Sequence, residues 1–200
     1  MRKKFKFKQL LNTYRSLEKE LTNIREIMKD LHFDFEDFYR FYCNKYNVDT
    51  KKLNEKNSKK VTQAFSEKAI IPKVREKLAS KDRDHKDLYK DIARKIHPDK
   101  IHPDTPNYDQ IEEDFKKANN AVNYGLWGDL FDIAEKYNID ITDYDKVIES
   151  LKIDIKRIQK DIAEEKSTYS WKLFNCDGDH KCRENVIENF LKQLFDYKKT

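Results

Sequence analysis

The stretch Arg83-Asp-His-Lys-Asp-Leu-Tyr-Lys-Asp-Ile-Ala-Arg-Lys-Ile-His-Pro-Asp-Lys100 decides the fold that this sequence predicts. One set of its apolar residues has helical spacing: Leu88, Ile92 and Ile96, with Tyr89 and Ala93 beside them. Such spacing is typical of an α-helix with one apolar face. Pro98 ends this helix, because a residue that precedes proline avoids the α-helical region.

A second face of the same helix is basic. Its members follow one another at steps of three or four residues: Arg83, Lys86, Lys90, Arg94 and then His97. After a polar loop, another apolar set recurs at helical spacing: Ile111, Phe115, Ala118 and Val122. The simplest arrangement is a hairpin of two antiparallel helices whose apolar stripes face each other. The basic face then lies outside and leads to the His-Pro-Asp loop.

This pattern resembles the J-domain of the DnaJ co-chaperone family. The matching residues are Tyr89-Lys90, Ile92-Ala93, Lys95-Ile96-His97-Pro98-Asp99-Lys100 and Phe115-Lys116-Lys117-Ala118-Asn119-Asn120-Ala121. In that family the second helix has a basic face, the next loop carries His-Pro-Asp, and the third helix begins its core contacts with a Phe-Lys pair. The resemblance covers residues 84–124 only.

The sequence departs from the J-domain pattern in several places. The family's first helix is not recognisable upstream, and the segment 67–79 is the candidate to replace it. Asp91 stands where the family usually has a cation. The fourth-helix signature, a Gly/Phe-rich linker and a repeated Cys-x-x-Cys zinc module are missing. A second His-Pro-Asp occurs at 102–104, but only the first copy follows the helix at the family's register, so we assign the function to His97.

The resemblance implies a co-chaperone that docks on a DnaK-type chaperone and stimulates its ATPase. It assigns this partner contact to Lys86, Tyr89, Lys90, Arg94, Lys95, His97, Pro98 and Asp99. Such a protein is not itself an enzyme and needs no cofactor, and its client protein stays unknown. Short J-proteins that lack the standard modules suggest a bacterial or phage origin.

Composition predicts an all-α fold. Three Gly and four Pro in 200 residues, with 40% charged side chains, favour long helices. The net charge of +5 comes from 42 cations against 37 anions, a balance that makes nucleic acid an unlikely partner. No apolar run follows the basic start, so we expect neither a signal peptide nor a membrane span. Three cysteines, an odd and sparse number, favour a reducing compartment and a cytoplasmic protein, in the host cytoplasm if it is viral.

Heptad patterns flank the J-like segment on both sides. The first covers 6–31 with Phe7, Leu10, Tyr14, Leu17, Leu21, Ile24, Met28 and Leu31. The second lies near 143–173 with Ile148, Leu151, Ile155, Ile158 and Ile162. We expect two long helices that pair antiparallel as a coiled-coil-like stalk within a monomer. A coiled-coil dimer through the first helix is the alternative.

The chain is predicted to divide into four consecutive parts. These are an N-terminal heptad helix plus an aromatic-rich helix (1–48), a polar linker (49–60), a J-domain-like helical module (61–140), and a long helix with a terminal amphipathic helix (141–200). In the first part, Asp34 is a candidate cap for a separate short helix. Four aromatic residues after it share one helical face, which favours core packing over stacking on bases: Phe35, Phe38, Tyr39 and Tyr42.

Other features of the sequence suggest alternative functions and sites. Cys176, His180 and Cys182 are candidate zinc ligands, but their spacing is not a recurrent four-ligand pattern, so we expect a reduced turn without metal. A helical structural or assembly protein would use the J-like hairpin for packing or protein interaction only. A basic nucleic-acid-binding protein would instead bind through the basic face, with strong salt dependence.

Overall fold

The computed structural model describes residues 2–53 and 85–197, and in these ranges the regular structure is helical, with no strand. The principal helices are α1 (Arg2–Lys45), α2 (Lys86–Ile96), α3 (Tyr108–Tyr124), α4 (Trp127–Lys136), α5 (Tyr144–Ser167), α6 (Tyr169–Phe174) and α7 (His180–Phe195). The predicted all-α class is therefore confirmed. None of the helices in these ranges combines the length and the apolar character that crossing a membrane requires.

Several predictions concern residues 54–84, which lie outside the described ranges. They include most of the polar linker, the segment 67–79 and Arg83 of the basic face. The described chain forms two compact units, one from Met1–Lys19 with Val74–Gln159 and the other from Glu20–Lys73 with Lys160–Thr200. The division into four consecutive parts stays a prediction.

The first unit has a core shared by α2, α3 and α4. Its buried members are Ile92, Ile96, Ala118, Ala121, Val122, Leu130, Ile133 and Ala134. The apolar stripes predicted on α2 and α3 thus contribute to one core, and the short helix α4 packs on it as well. Gly125 (φ 65°) and Asn138 (φ 50°) adopt the left-handed conformation just beyond α3 and α4, as is common where helices end. The antiparallel J-like hairpin itself stays a prediction.

Helix α1 is one continuous helix, so the prediction of two separate helices is wrong. Asp34 lies inside α1 rather than at its N-cap. No glycine or proline interrupts the segment from Leu31 to Lys45, so nothing in the backbone favours a break there. The heptad seam is buried at Phe7, Tyr14, Leu21, Ile24 and Leu31. Leu11 is also fully buried, because the apolar stripe is wider than a two-position seam.

The antiparallel pairing of the two long helices is wrong. In the first unit Lys3 forms an ion pair with Asp145, and the ring of Phe7 meets that of Tyr144 at 5.7 Å. The beginning of α1 therefore lies beside the beginning of α5. Antiparallel pairing suits a short connection, whereas the described residues between α1 and α5 include the packed helices α2 to α4. A coiled-coil-like stalk and the oligomeric state stay predictions.

Helix α5 ends at Ser167, earlier than predicted. The hydroxyl of Thr168 accepts a hydrogen bond from the backbone N–H of Trp171 at 3.3 Å and so caps the separate helix α6. Within the second unit, Arg25 and Lys166 form ion pairs with Glu165 and Glu20, respectively. A later part of α1 thus lies beside the end of α5.

The aromatic segment of α1 forms the core of the second unit. The buried members are Phe38, Tyr42, Leu173, Ile187, Leu191 and Phe195. Phe190 of α7 meets Phe35 edge to face at 5.1 Å, Tyr39 at 5.7 Å and Tyr169 at 5.3 Å. The interpretation of these aromatic residues as core is confirmed.

Cys176 and Cys182 form a disulfide, so the prediction of a reduced turn is wrong. Disulfide-bonded sulfurs are not thiolate ligands, which removes Cys176, His180 and Cys182 as a zinc set. The described ranges contain no cluster of His, Cys, Asp or Glu suited to a metal ion. The odd number of cysteines wrongly predicted that all of them are reduced. Two form the disulfide, and the third, Cys43, is buried elsewhere in the second unit. A cytoplasmic location stays a prediction, without support from the cysteines.

Gly128 marks the point where α1, α4 and α5 of the first unit meet. A Cβ atom at this position would lie 2.2 Å from the ring of Tyr14. The amide of Gly128 donates to Oδ2 of Asp154 at 2.7 Å, and that side chain is only 1% exposed. Arg157 forms a 2.7 Å ion pair with Asp154 and donates to the carbonyl of Gly125 at 3.3 Å. One buried pair therefore holds both the end of α3 and the first turn of α4.

Replacing Gly128 with alanine should destabilise the protein by about 1–3 kcal/mol, because the added methyl group collides with the Tyr14 ring in a packed interior. Urea unfolding followed by circular dichroism measures the change. The same substitution in a Tyr14→Ala background should cost much less. An equal cost in both backgrounds would show that the two residues do not touch.

Candidate functional site

The His-Pro-Asp loop begins where α2 ends. His97 is the C-cap of α2, has an extended backbone (φ −64°, ψ 130°), and donates its N–H to the carbonyl of Ala93 at 3.1 Å. Pro98 starts a 3₁₀ turn that runs to Lys100. Pro98 therefore ends the helix at the position that the sequence predicts.

A local hydrogen bond shapes the turn. The backbone N–H of Asp99 donates to Nδ1 of His97 at 3.2 Å, and Oδ2 of Asp99 lies 3.6 Å from the same nitrogen. An accepting nitrogen carries no proton, so the neutral ring in this arrangement has its proton on Nε2. The side chain of Asp99 is 88% exposed, which leaves its carboxylate open to solvent.

Phe115 of α3 supports the His97 ring. The two ring centroids are 4.7 Å apart, with an edge-to-face angle of 64°. The same phenyl ring stacks with Tyr89 of α2 at 6.5 Å. Phe115 therefore belongs to the site, whereas its spacing in the sequence indicated only a core position. Its place in the Phe-Lys pair of the resemblance was the signal that pointed to it.

The second His-Pro-Asp has the same internal geometry as the first. The N–H of Asp104 donates to Nδ1 of His102 at 3.3 Å, and the carboxylate lies 3.3 Å from that nitrogen. Local hydrogen bonding therefore does not distinguish the copies. The contact with Phe115 distinguishes them. The His97 side chain is 38% exposed, whereas that of His102 is 77% exposed and makes no ring contact within residues 2–53 and 85–197.

The basic face of α2 is exposed but partly paired. Lys90 contacts Asp87 at 2.8 Å and Arg94 contacts Asp91 at 2.7 Å, each across one helical turn. The hydrogen bond and positive charge of Lys90 lower the pKa of Asp87. Four cations and two anions leave α2 with a net charge of +2. Exposed pairs of this kind contribute little stability, so an acidic partner can displace the carboxylates at low cost.

The structure brings the residues that the resemblance named together on α2 and the turn after it. Lys86, Lys90, Arg94 and Lys95 are exposed, and His97 and Pro98 are half-buried. Tyr89 is also half-buried and packs on the core, so much of its ring is not available to a partner.

Comparison of this chain with protein-family models, with curated proteins and with solved structures finds no match. The functional interpretation of the site therefore comes only from its own residues and their contacts. The resemblance to the J-domain stays an interpretation of residues 84–124.

Replacing Phe115 with alanine should destabilise the first unit by about 2 kcal/mol. A fully enclosed phenyl ring is worth roughly 3–5 kcal/mol, and Phe115 is only half-buried. Thermal unfolding measures the effect. Phe5→Ala on α1 is the matched control, because that ring is 65% exposed and its loss should change little. Equal effects of both substitutions would contradict the packing of Phe115 against α2 and its loop.

Proposed function

We propose that this protein is a co-chaperone that docks on a DnaK-type chaperone through α2 and stimulates its ATPase through His97, Pro98 and Asp99. The supporting observation is the Phe115 ring, which fixes the imidazole of His97 beside an exposed carboxylate directly after a basic helix. A contact group that is fixed before binding loses less conformational entropy when the partner arrives.

The cations of α2 bind the chaperone. A basic helix face speeds and orients the approach to an acidic surface, because complementary potentials act before contact. Asp87 and Asp91 already hold Lys90 and Arg94 on the helix surface, and both pairs are exposed. On binding, acidic groups of the chaperone replace these two carboxylates, so α2 exchanges partners rather than exposing bare charges.

The His-Pro-Asp turn then selects a state of the chaperone. Pro98 restricts the backbone and the hydrogen bond from Asp99 to His97 shapes the turn, so this short segment presents one geometry. A partner that binds one conformation more tightly than another shifts the population toward it. The turn binds the hydrolysis-competent conformation more tightly, and nucleotide chemistry remains with the chaperone. The client is unidentified.

Two other functions have less support. Nucleic-acid binding is disfavoured because two carboxylates offset half of the cations of α2. In addition, one face of the aromatic segment packs in the core of the second unit, namely Phe35, Phe38, Tyr39 and Tyr42. An assembly protein that uses this module only for packing would leave the chaperone's ATPase unchanged. A single-turnover ATP hydrolysis assay with a DnaK-type chaperone separates these functions.

His97→Gln should abolish stimulation in that assay, whereas His102→Gln should leave it close to the wild-type value. Both histidines have the same local hydrogen bond, but only His97 rests on Phe115. Circular dichroism checks that both variants fold. The opposite ranking would assign the function to the second copy, and no stimulation by the wild-type protein would refute the proposed function.

Reversing the charge at Lys90 and Arg94 together should weaken chaperone binding about tenfold at low ionic strength and less at high salt, because salt screens exposed charges. Titration by fluorescence anisotropy at two salt concentrations measures the change. Lys152→Glu is the matched control, since Lys152 also pairs with a carboxylate one turn away, Glu149, but lies on α5. Equal affinity of the double variant and the wild type at low salt would exclude α2 from docking.

A further inference from the structure

Asp114 of α3 is a buried carboxylate to which the docking proposal gives no role. Its side chain is 10% exposed. It accepts a hydrogen bond from the phenol of Tyr137 at 2.6 Å, lies 2.6 Å from Nζ of Lys136, and accepts from the amide of Gln110 at 3.3 Å. A buried carboxylate with this many donors is held firmly, because movement would leave a charge unpaired away from water.

Two of these donors come from the end of α4. Lys136 is the last residue of that helix and Tyr137 is its C-cap. Burial and the hydrogen bond to Asp114 raise the pKa of Tyr137, so its hydroxyl keeps the proton that it donates. Asp114 therefore joins one side of α3 to the end of α4.

The next residue, Phe115, serves a different side of α3. Consecutive residues of an α-helix are 100° apart around the axis, so neighbours face different partners. Asp114 contacts the end of α4, while Phe115 contacts Tyr89 and His97. Rotation of α3 about its own axis would break the first set of contacts and move the phenyl ring away from the imidazole.

We propose that Asp114 is a positioning residue: by joining α3 to Lys136 and Tyr137, it holds the Phe115 ring against His97. The effect of this positioning on a partner rests on the proposed function, whereas the contact between the Phe115 ring and His97 can be tested on the protein alone. Gln110 lies on α3 itself and moves with that helix, so its hydrogen bond to Asp114 does not fix the rotation of α3. The anchoring contacts are therefore those with α4.

The first test is an NMR measurement on the full chain. The ring current of Phe115 shifts the ring-proton resonances of His97, and those of His102 provide an internal reference. Asp114→Ala should move the His97 signals toward the His102 signals and leave His102 unchanged. Glu113→Ala, which removes an exposed carboxylate one residue earlier on α3, should move neither.

A milder variant guards against loss of the fold. Tyr137→Phe keeps the ring and removes only the hydroxyl donor, so it should shift the His97 signals in the same direction by a smaller amount. If Asp114→Ala does not fold, as judged by circular dichroism, Tyr137→Phe decides. Unchanged His97 signals in the variants that fold would overturn the proposal.

A second readout connects the geometry to the proposed function. Asp114→Ala should lower maximal stimulation of the chaperone several-fold without changing the half-saturating concentration, because the basic face of α2 is untouched. If the His97 signals move as expected but the wild-type protein stimulates no chaperone, positioning stands and the proposed function fails. If the wild type stimulates and the variant behaves like it in both measurements, positioning fails instead.

Discussion

The contacts of the buried Asp154 carboxylate connect α5 to the start of α4 in the first unit. A charge that is 1% exposed is tolerated only with close partners, and here they are the amide of Gly128 and the guanidinium of Arg157. These contacts fix where α4 begins, and the far end of α4 carries the two donors that hold Asp114. If Asp114 positions Phe115 as proposed, a buried carboxylate remote in sequence contributes to the position of the His-Pro-Asp turn.

Features that depend on near neighbours were predictable from the sequence. The apolar stripe of α2, its end at Pro98, the stripe of α3 and the left-handed Asn138 after α4 all follow from spacing of three to four residues or from local backbone preference. The break expected at Asp34 failed because a capping residue acts only where the helix has another reason to start.

Features that join distant segments were not predictable in this way. Periodicity shows which face of α5 is apolar but not which end of α1 it meets, so the pairing direction was wrong. Asp154 lies within the apolar stripe between Leu151 and Ile158, an irregularity that indicates a buried charge but does not name its partners. Likewise, the spacing around Phe115 predicted a core position and could not show that its ring reaches His97.

The disulfide has a practical consequence for biochemical work. All three cysteines of the chain fall within the second unit, and the segments assigned to the first unit contain none. A reducing buffer therefore breaks the bond between Cys176 and Cys182 without breaking any covalent bond in the unit that carries His97. Treatment with a reductant is therefore a chemical perturbation selective for the second unit. A cysteine introduced into the first unit would be the only thiol in that unit and could be labelled.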